Sequence, residues 1–155
     1  MPRYASMASL IFTLALAFAW PWSLAAQPVE NEQSMGNEIT IRIGDASFAA
    51  TLADNATATA FKKLLPLSIT MTELNGNEKF ARLPTSVPTE PSRPSSIRTG
   101  DLMMYGSSTL VLFYKTFPTT YSYTHIGKVD DAAGLEAALG SGNAAVTFEA
   151  KREKR

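Results

Sequence analysis

Apolar and polar residues alternate from Ile39 onward. Ile39, Ile41 and Ile43 are separated by Thr40 and Arg42, the period of a strand with one buried face. Gly44-Asp45 turns the chain and Ser47–Leu52 returns it, which predicts a hairpin. Asp54 is placed to cap a helix over Asn55–Leu65. Phe61, Leu64 and Leu65 lie on one apolar face of that helix, and Pro66 ends it. Leu67, Ile69 and Met71 alternate with Ser68, Thr70 and Thr72 and predict a third strand. Asn75-Gly76 is a tight-turn signal, followed by a short return strand over Phe80–Leu83.

Pro84–Pro94 holds four prolines. Proline cannot donate to a ladder, so this stretch reads as a long loop, of the kind used for binding or left mobile at a surface. Leu102–Tyr105 and Thr109–Tyr114 pair as a hairpin across Gly106-Ser107-Ser108. Both runs are nearly continuously apolar, as in strands covered on both faces. Tyr121–Val129 predicts another strand, Ala132–Leu139 a short helix started by Asp130-Asp131, and Ala144–Phe148 a closing strand. The count is about eight strands and two short helices. Such a chain closes into a barrel or stacks as a sandwich, which limits exposed edges.

The ends have other patterns. Arg3, the apolar Ala8–Trp20 run and Ser23-Leu24-Ala25-Ala26 have the order of a secretory signal peptide over residues 1–26. An uncleaved anchor is the competing reading, but the apolar run is shorter than the roughly 20 residues of a comfortable span. Residues 27–37 are polar and without period, a flexible leader. The domain expected over 38–150 is large enough to bury a core without staples. Lys151-Arg152-Glu153-Lys154-Arg155 is a basic tail, read as a solvated end. An exported location, periplasmic or extracellular, follows from the leader. With the signal removed, no membrane contact is expected.

Lys plus Arg and Asp plus Glu each number 14, and there is no cysteine. Balanced charge offers no field for nucleic acid. Without thiols there is no thiol catalysis, thiolate metal site or disulfide. No Walker loop, dinucleotide fingerprint or G-x-S-x-G elbow occurs, and no cofactor or metal is expected. Asp130, Asp131 and Glu136 have no cation-site spacing and read as helix-start acceptors. Asp101 reads as a turn acceptor, and Met103 and Met104 as core.

His125 is the single histidine and, in a regular strand, shares a face with Tyr121 and Tyr123. That row either lines an aromatic pocket or packs internally. Arg98, between the proline-rich loop and Gly100-Asp101, either anchors a carbonyl or carboxylate or is solvated.

Three segments carry a resemblance. Arg98-Thr99-Gly100-Asp101-Leu102 resembles the Gly-Gly-Asp-Phe turn of cyclophilins, Ser108–Tyr114 their following central strand, and His125-Ile126-Gly127-Lys128-Val129 their Phe-Gly-Lys-Val strand. With the upstream hairpin, the helix from Asn55 and Leu64-Leu65-Pro66-Leu67, the order is similar to that of bacterial cyclophilin-like domains. The resemblance implies a mainly β fold, a closed cyclophilin-like barrel of about eight strands with two short helices. It also implies an apolar pocket with Phe113 as the pocket phenylalanine. True cyclophilins isomerise prolyl bonds with an arginine beside the substrate carbonyl. Arg82, Arg93 and Arg98 do not fall in that pattern, and the cyclophilin histidine aligns with Tyr123. The expectation is therefore a non-catalytic module that binds a small molecule or peptide near Arg98, Phe113, Tyr121, Tyr123 and His125. The alternative is a prolyl isomerase acting on exported proteins.

Overall fold

A computed structural model describes residues 36–151. The expected signal peptide, most of the leader and the tail beyond Lys151 lie outside the described residues. Eight strands close into one antiparallel barrel. In chain order they are β1 (Glu38–Ile43), β2 (Ala46–Leu52), β3 (Leu67–Leu74), β4 (Glu78–Arg82), β6 (Asp101–Tyr105), β7 (Thr109–Phe113), β9 (Thr124–Val129) and β10 (Ala144–Ala150). Around the barrel the order is β1-β10-β3-β4-β7-β6-β9-β2, so β1 and β2 meet and no edge is left open. Two further strands, β5 (Ser96–Ile97) and β8 (Phe117–Pro118), form a separate ribbon.

The alternation read from the sequence is the inside–outside pattern of this barrel. Ile39, Ile41 and Ile43 point inward with Phe48, Ala50 and Leu52 of β2 and Val146 and Phe148 of β10. Helix α1 (Ala56–Lys62) adds Phe61, fully buried, whose ring meets Phe148 edge-on at 5.6 Å. Helix α2 (Leu135–Leu139) adds Leu135 and Leu139.

Local chemistry adjusts several expected boundaries. Asn55, not Asp54, caps α1. Its Oδ1 accepts the Ala58 N–H at 2.8 Å while its Nδ2 donates to the His125 carbonyl at 2.8 Å. An amide does both, whereas a carboxylate only accepts. The helix stops at Lys62 rather than Leu65, because Leu64 and Leu65 bond three residues back in a tightened last turn. β4 begins two residues earlier than expected, after a turn in which Asn75 and Gly76 both have positive φ (57° and 67°). Helix α2 starts at Leu135 rather than Ala132. Asp131 accepts the Ala133 N–H at 2.9 Å ahead of it.

β6 and β7 are covered on both faces, as their continuous apolar runs require. Leu102, Met104, Leu110 and Leu112 face the barrel core. Met103, Val111 and Phe113 join Ile97 and Tyr123 in a second cluster on the other face, flanked by Phe80 and Phe117. The β5–β8 ribbon and the Ser92↔Tyr123 bridge supply the outer cover of this cluster.

The proline-rich loop is tied down. Val87 is buried, its N–H donates to the Ser107 carbonyl at 2.9 Å, and Thr57 Oγ1 donates to the Pro88 carbonyl at 2.7 Å.

β2 passes close to β9 at Gly127. A Cβ there would lie 2.5 Å from the Thr51 carbonyl oxygen and 3.0 Å from the Leu52 Cα. Both are backbone atoms of a paired strand, so no side chain can yield. Gly127→Ala is expected to destabilise the barrel by about 1–3 kcal/mol, the usual range for overpacking. Chemical denaturation measures it, and an unchanged midpoint would refute the contact.

Candidate functional site

The outer cluster floors a groove. Phe113 is fully buried and meets Tyr123 edge-on at 5.4 Å and Phe117 at 5.7 Å. Above this floor a groove of about 680 Å³ runs between the β3–β4 turn, Tyr105 of β6 and residues 117–123. Among the described residues three large hydrophobic side chains are exposed: Leu74 (40%), Tyr105 (49%) and Tyr121 (61%). All three line this groove. Tyr105 touches both Tyr121 (6.2 Å, edge-on) and Tyr123 (5.9 Å). Exposed apolar rings gathered at one concave place, and absent from the rest of the described surface, make this groove the candidate site.

The strand pattern decides the electrostatics. Glu78 and Lys79 are adjacent on β4 and so point to opposite faces. Lys79 goes inward and is fully buried. Its ammonium bonds Glu73 and donates to the carbonyls of Gly140 (2.7 Å) and Gly142 (2.6 Å). Glu73 also accepts from the Tyr114 hydroxyl at 2.9 Å on each oxygen and from the Gly76 N–H at 2.8 Å. Burial opposes ionisation of Glu73, but these donors outweigh it and hold its carboxyl below the usual range. Burial and the Glu73 charge push the Tyr114 hydroxyl up to about 12.

Glu78 faces the groove with no such help. As a residue it is 9% exposed, its carboxyl has no hydrogen bond or ion pair among the described residues, and the carboxyl oxygens stay open to the groove. The cation beside it in sequence is committed to Glu73 on the other face. Burial, with the Glu73 charge second, raises the Glu78 carboxyl above its ordinary value. Burial likewise raises the Tyr123 hydroxyl, with the Glu78 charge second. Asn77, on the same rim, has a buried Oδ1 without a hydrogen-bond partner.

A carboxyl raised on folding binds more protons than in the unfolded chain between its two pKa values. Stability therefore falls as pH rises through that window and stays lowered above it. Glu78→Gln is expected to melt higher than the parent protein at neutral pH. The gap should close as pH falls below the ordinary carboxyl value of 4.5. Thermal melts across pH test this, and a variant less stable at neutral pH would contradict the isolation of Glu78.

The groove is lined by Tyr121 and Tyr123, two of the five residues singled out from sequence, and Phe113 packs against Tyr123 without lining it. Arg98 and His125 are exposed and lie outside its lining. The Arg98 N–H donates to Asp101 Oδ2 at 2.8 Å, so Asp101 is the turn acceptor. His125 pairs with Met103 of the outer cluster and so keeps the face of Tyr123, but it lies beyond the groove lining; the β9 bulge follows it, with Ile126 between the partners Gly127 and His125. Tyr123 is buried while His125 is exposed. Glu78, Tyr105 and Phe117 were not found from sequence. Starting β4 directly after Asn75-Gly76-Asn77 would have set Glu78 in phase with Phe80.

A family model described as the cyclophilin-like family matches residues 41–149. The chain belongs to the cyclophilin-like family. The solution structure of the hypothetical protein AF2241 from Archaeoglobus fulgidus is similar, with a TM-score of 0.53 and 16% identity over 77% of this chain and 98% of that one. At that identity the likeness concerns the fold alone. No curated protein matches. In this cyclophilin-like barrel the groove lies on the outer face of β4, β6 and β7, not in the filled interior.

Proposed function

We propose that this protein is an exported, non-catalytic binding module that takes a small molecule or peptide in the outer groove. The observation that carries this reading is the convergence of Leu74, Tyr105 and Tyr121, exposed at one groove over a fully buried aromatic floor. The volume of about 680 Å³ falls within the usual range for ligand sites. Glu78 adds a second support, because an unpaired carboxyl raised by burial in a cleft is a candidate for function. Export rests on the signal-peptide pattern of residues 1–26.

Prolyl isomerisation needs a positioned cation to stabilise the twisted bond. No arginine among the described residues lines the groove, which favours binding over turnover. The purified mature domain is expected to bind aromatic fragments such as indole saturably in saturation-transfer NMR. It is also expected to leave the isomerisation rate of a chromogenic Xaa-Pro peptide unchanged. Acceleration of that peptide, lost on Arg98→Ala, would overturn the non-catalytic reading. Absence of any saturable fragment binding would overturn the binding reading.

A further inference from the structure

We propose that the ligand of this groove is a small organic cation with N–H donors, an ammonium or amidinium on an apolar or aromatic body, held by Glu78. The inference rests on the binding reading above and names the chemistry it selects. Among the fourteen residues that line the groove, Glu78 is the single charged one. It is more than nine-tenths buried and lacks a protein partner. Asn77 Oδ1 is a second buried acceptor on the same rim without a donor. A carboxylate that no protein donor bonds calls for a ligand that brings N–H groups and a positive charge.

The walls suit the same ligand. Tyr105, Tyr121 and Tyr123 line the same groove as the carboxyl, and Phe80 and Phe117 supply apolar surface. Tyrosine faces attract cations, most strongly where water is excluded. The other charges near the site do not compete. Glu73 is bound to Lys79 and Tyr114 on the inner face of β4, and the exposed Lys115 pairs with Glu136 at 3.1 Å. A neutral ligand of the same shape leaves Glu78 buried without a partner. An anionic one sets a second negative charge beside it.

Benzamidinium, benzamide and benzoate share one planar shape and carry charges of +1, 0 and −1, so they separate charge from shape. Titrated into the mature protein and followed by NMR, benzamidinium is expected to bind at least about tenfold more tightly than benzamide, the ratio of one charge-assisted hydrogen bond. Benzoate is expected to bind most weakly. Glu78→Gln should bring benzamidinium down to the level of benzamide. Equal affinities for benzamidinium and benzamide would overturn the cation assignment and leave a neutral-ligand groove. Absence of binding by all three would overturn the groove as a small-molecule site. Concentration-dependent dimerisation that displaces benzamidinium would assign the groove to a second copy of the chain and overturn the proposal.

Discussion

Glu73→Ala is expected to destabilise the protein by about 3–5 kcal/mol, the cost of leaving a buried charge without its partner. Lys79 is completely buried, and its ammonium is satisfied by Glu73 and two carbonyls. Removing the carboxylate leaves a positive charge inside the barrel. It also strips the acceptor from the Tyr114 hydroxyl and the Gly76 N–H. Urea unfolding at neutral pH should show the loss, with a melting point lower by about 10 °C or more. The folded-state pKa of Glu73 is depressed, so its contribution is present above the ordinary carboxyl value and disappears as pH falls through the folded one. The difference between parent and variant should therefore shrink in acid. The double change Glu73→Leu with Lys79→Met should cost less than Glu73→Ala alone. It removes both charges together, and the carbonyls of Gly140 and Gly142, on an exposed turn, can take water instead. A double variant worse than the single one would contradict this account of the pair.

Phe113→Ala is expected to cost about 3–5 kcal/mol as well, by the usual penalty for emptying a buried phenylalanine site. The consequence differs, because Phe113 belongs to the outer cluster rather than the barrel core. Its loss removes the ring against which Tyr123 and Phe117 rest. The segment from Phe117 to Tyr123, joined to the rest by the β5–β8 ribbon and the Ser92–Tyr123 bonds (2.9 and 3.0 Å), should open first. Hydrogen exchange is expected to accelerate most at Ser92, Thr119 and Tyr123, with the β1 and β10 amides following global unfolding. Uniform acceleration across the barrel would show that the outer cluster is not a separate unit. Fragment binding should be lost in the same variant.

Much of the barrel was legible in the sequence because each of its strands declares two faces. The isoleucines of β1 and the two-faced runs of β6 and β7 needed no long-range information to be assigned. The Asn75-Gly76 turn was equally plain, since its backbone has few alternatives. The site was legible only in part. Tyr121 and Tyr123 line the groove, and Phe113 lies behind Tyr123. That the lining stops short of His125 depends on where the segment from Phe117 to Tyr123 folds over β6 and β7, which alternation within one strand cannot reveal. Nothing in the local sequence marks Lys79 as buried. Its burial depends on Glu73 across the hairpin and on the turn at residues 140–142, far along the chain. Glu78 was lost with the start of β4, where a shift of two residues separates a turn carboxylate from a groove carboxylate.

The central claim is that this cyclophilin-like domain binds its ligand in the outer groove. The most direct test is an amide shift map of the mature protein titrated with benzamidinium and benzamide. The account predicts saturable shifts confined to residues 74–80, 105, 109–113 and 117–123, which line or floor the groove. Shifts centred instead on the shallow hollow of Thr99, Thr116 and Gly134, or on the exposed Arg98 and His125, would contradict it.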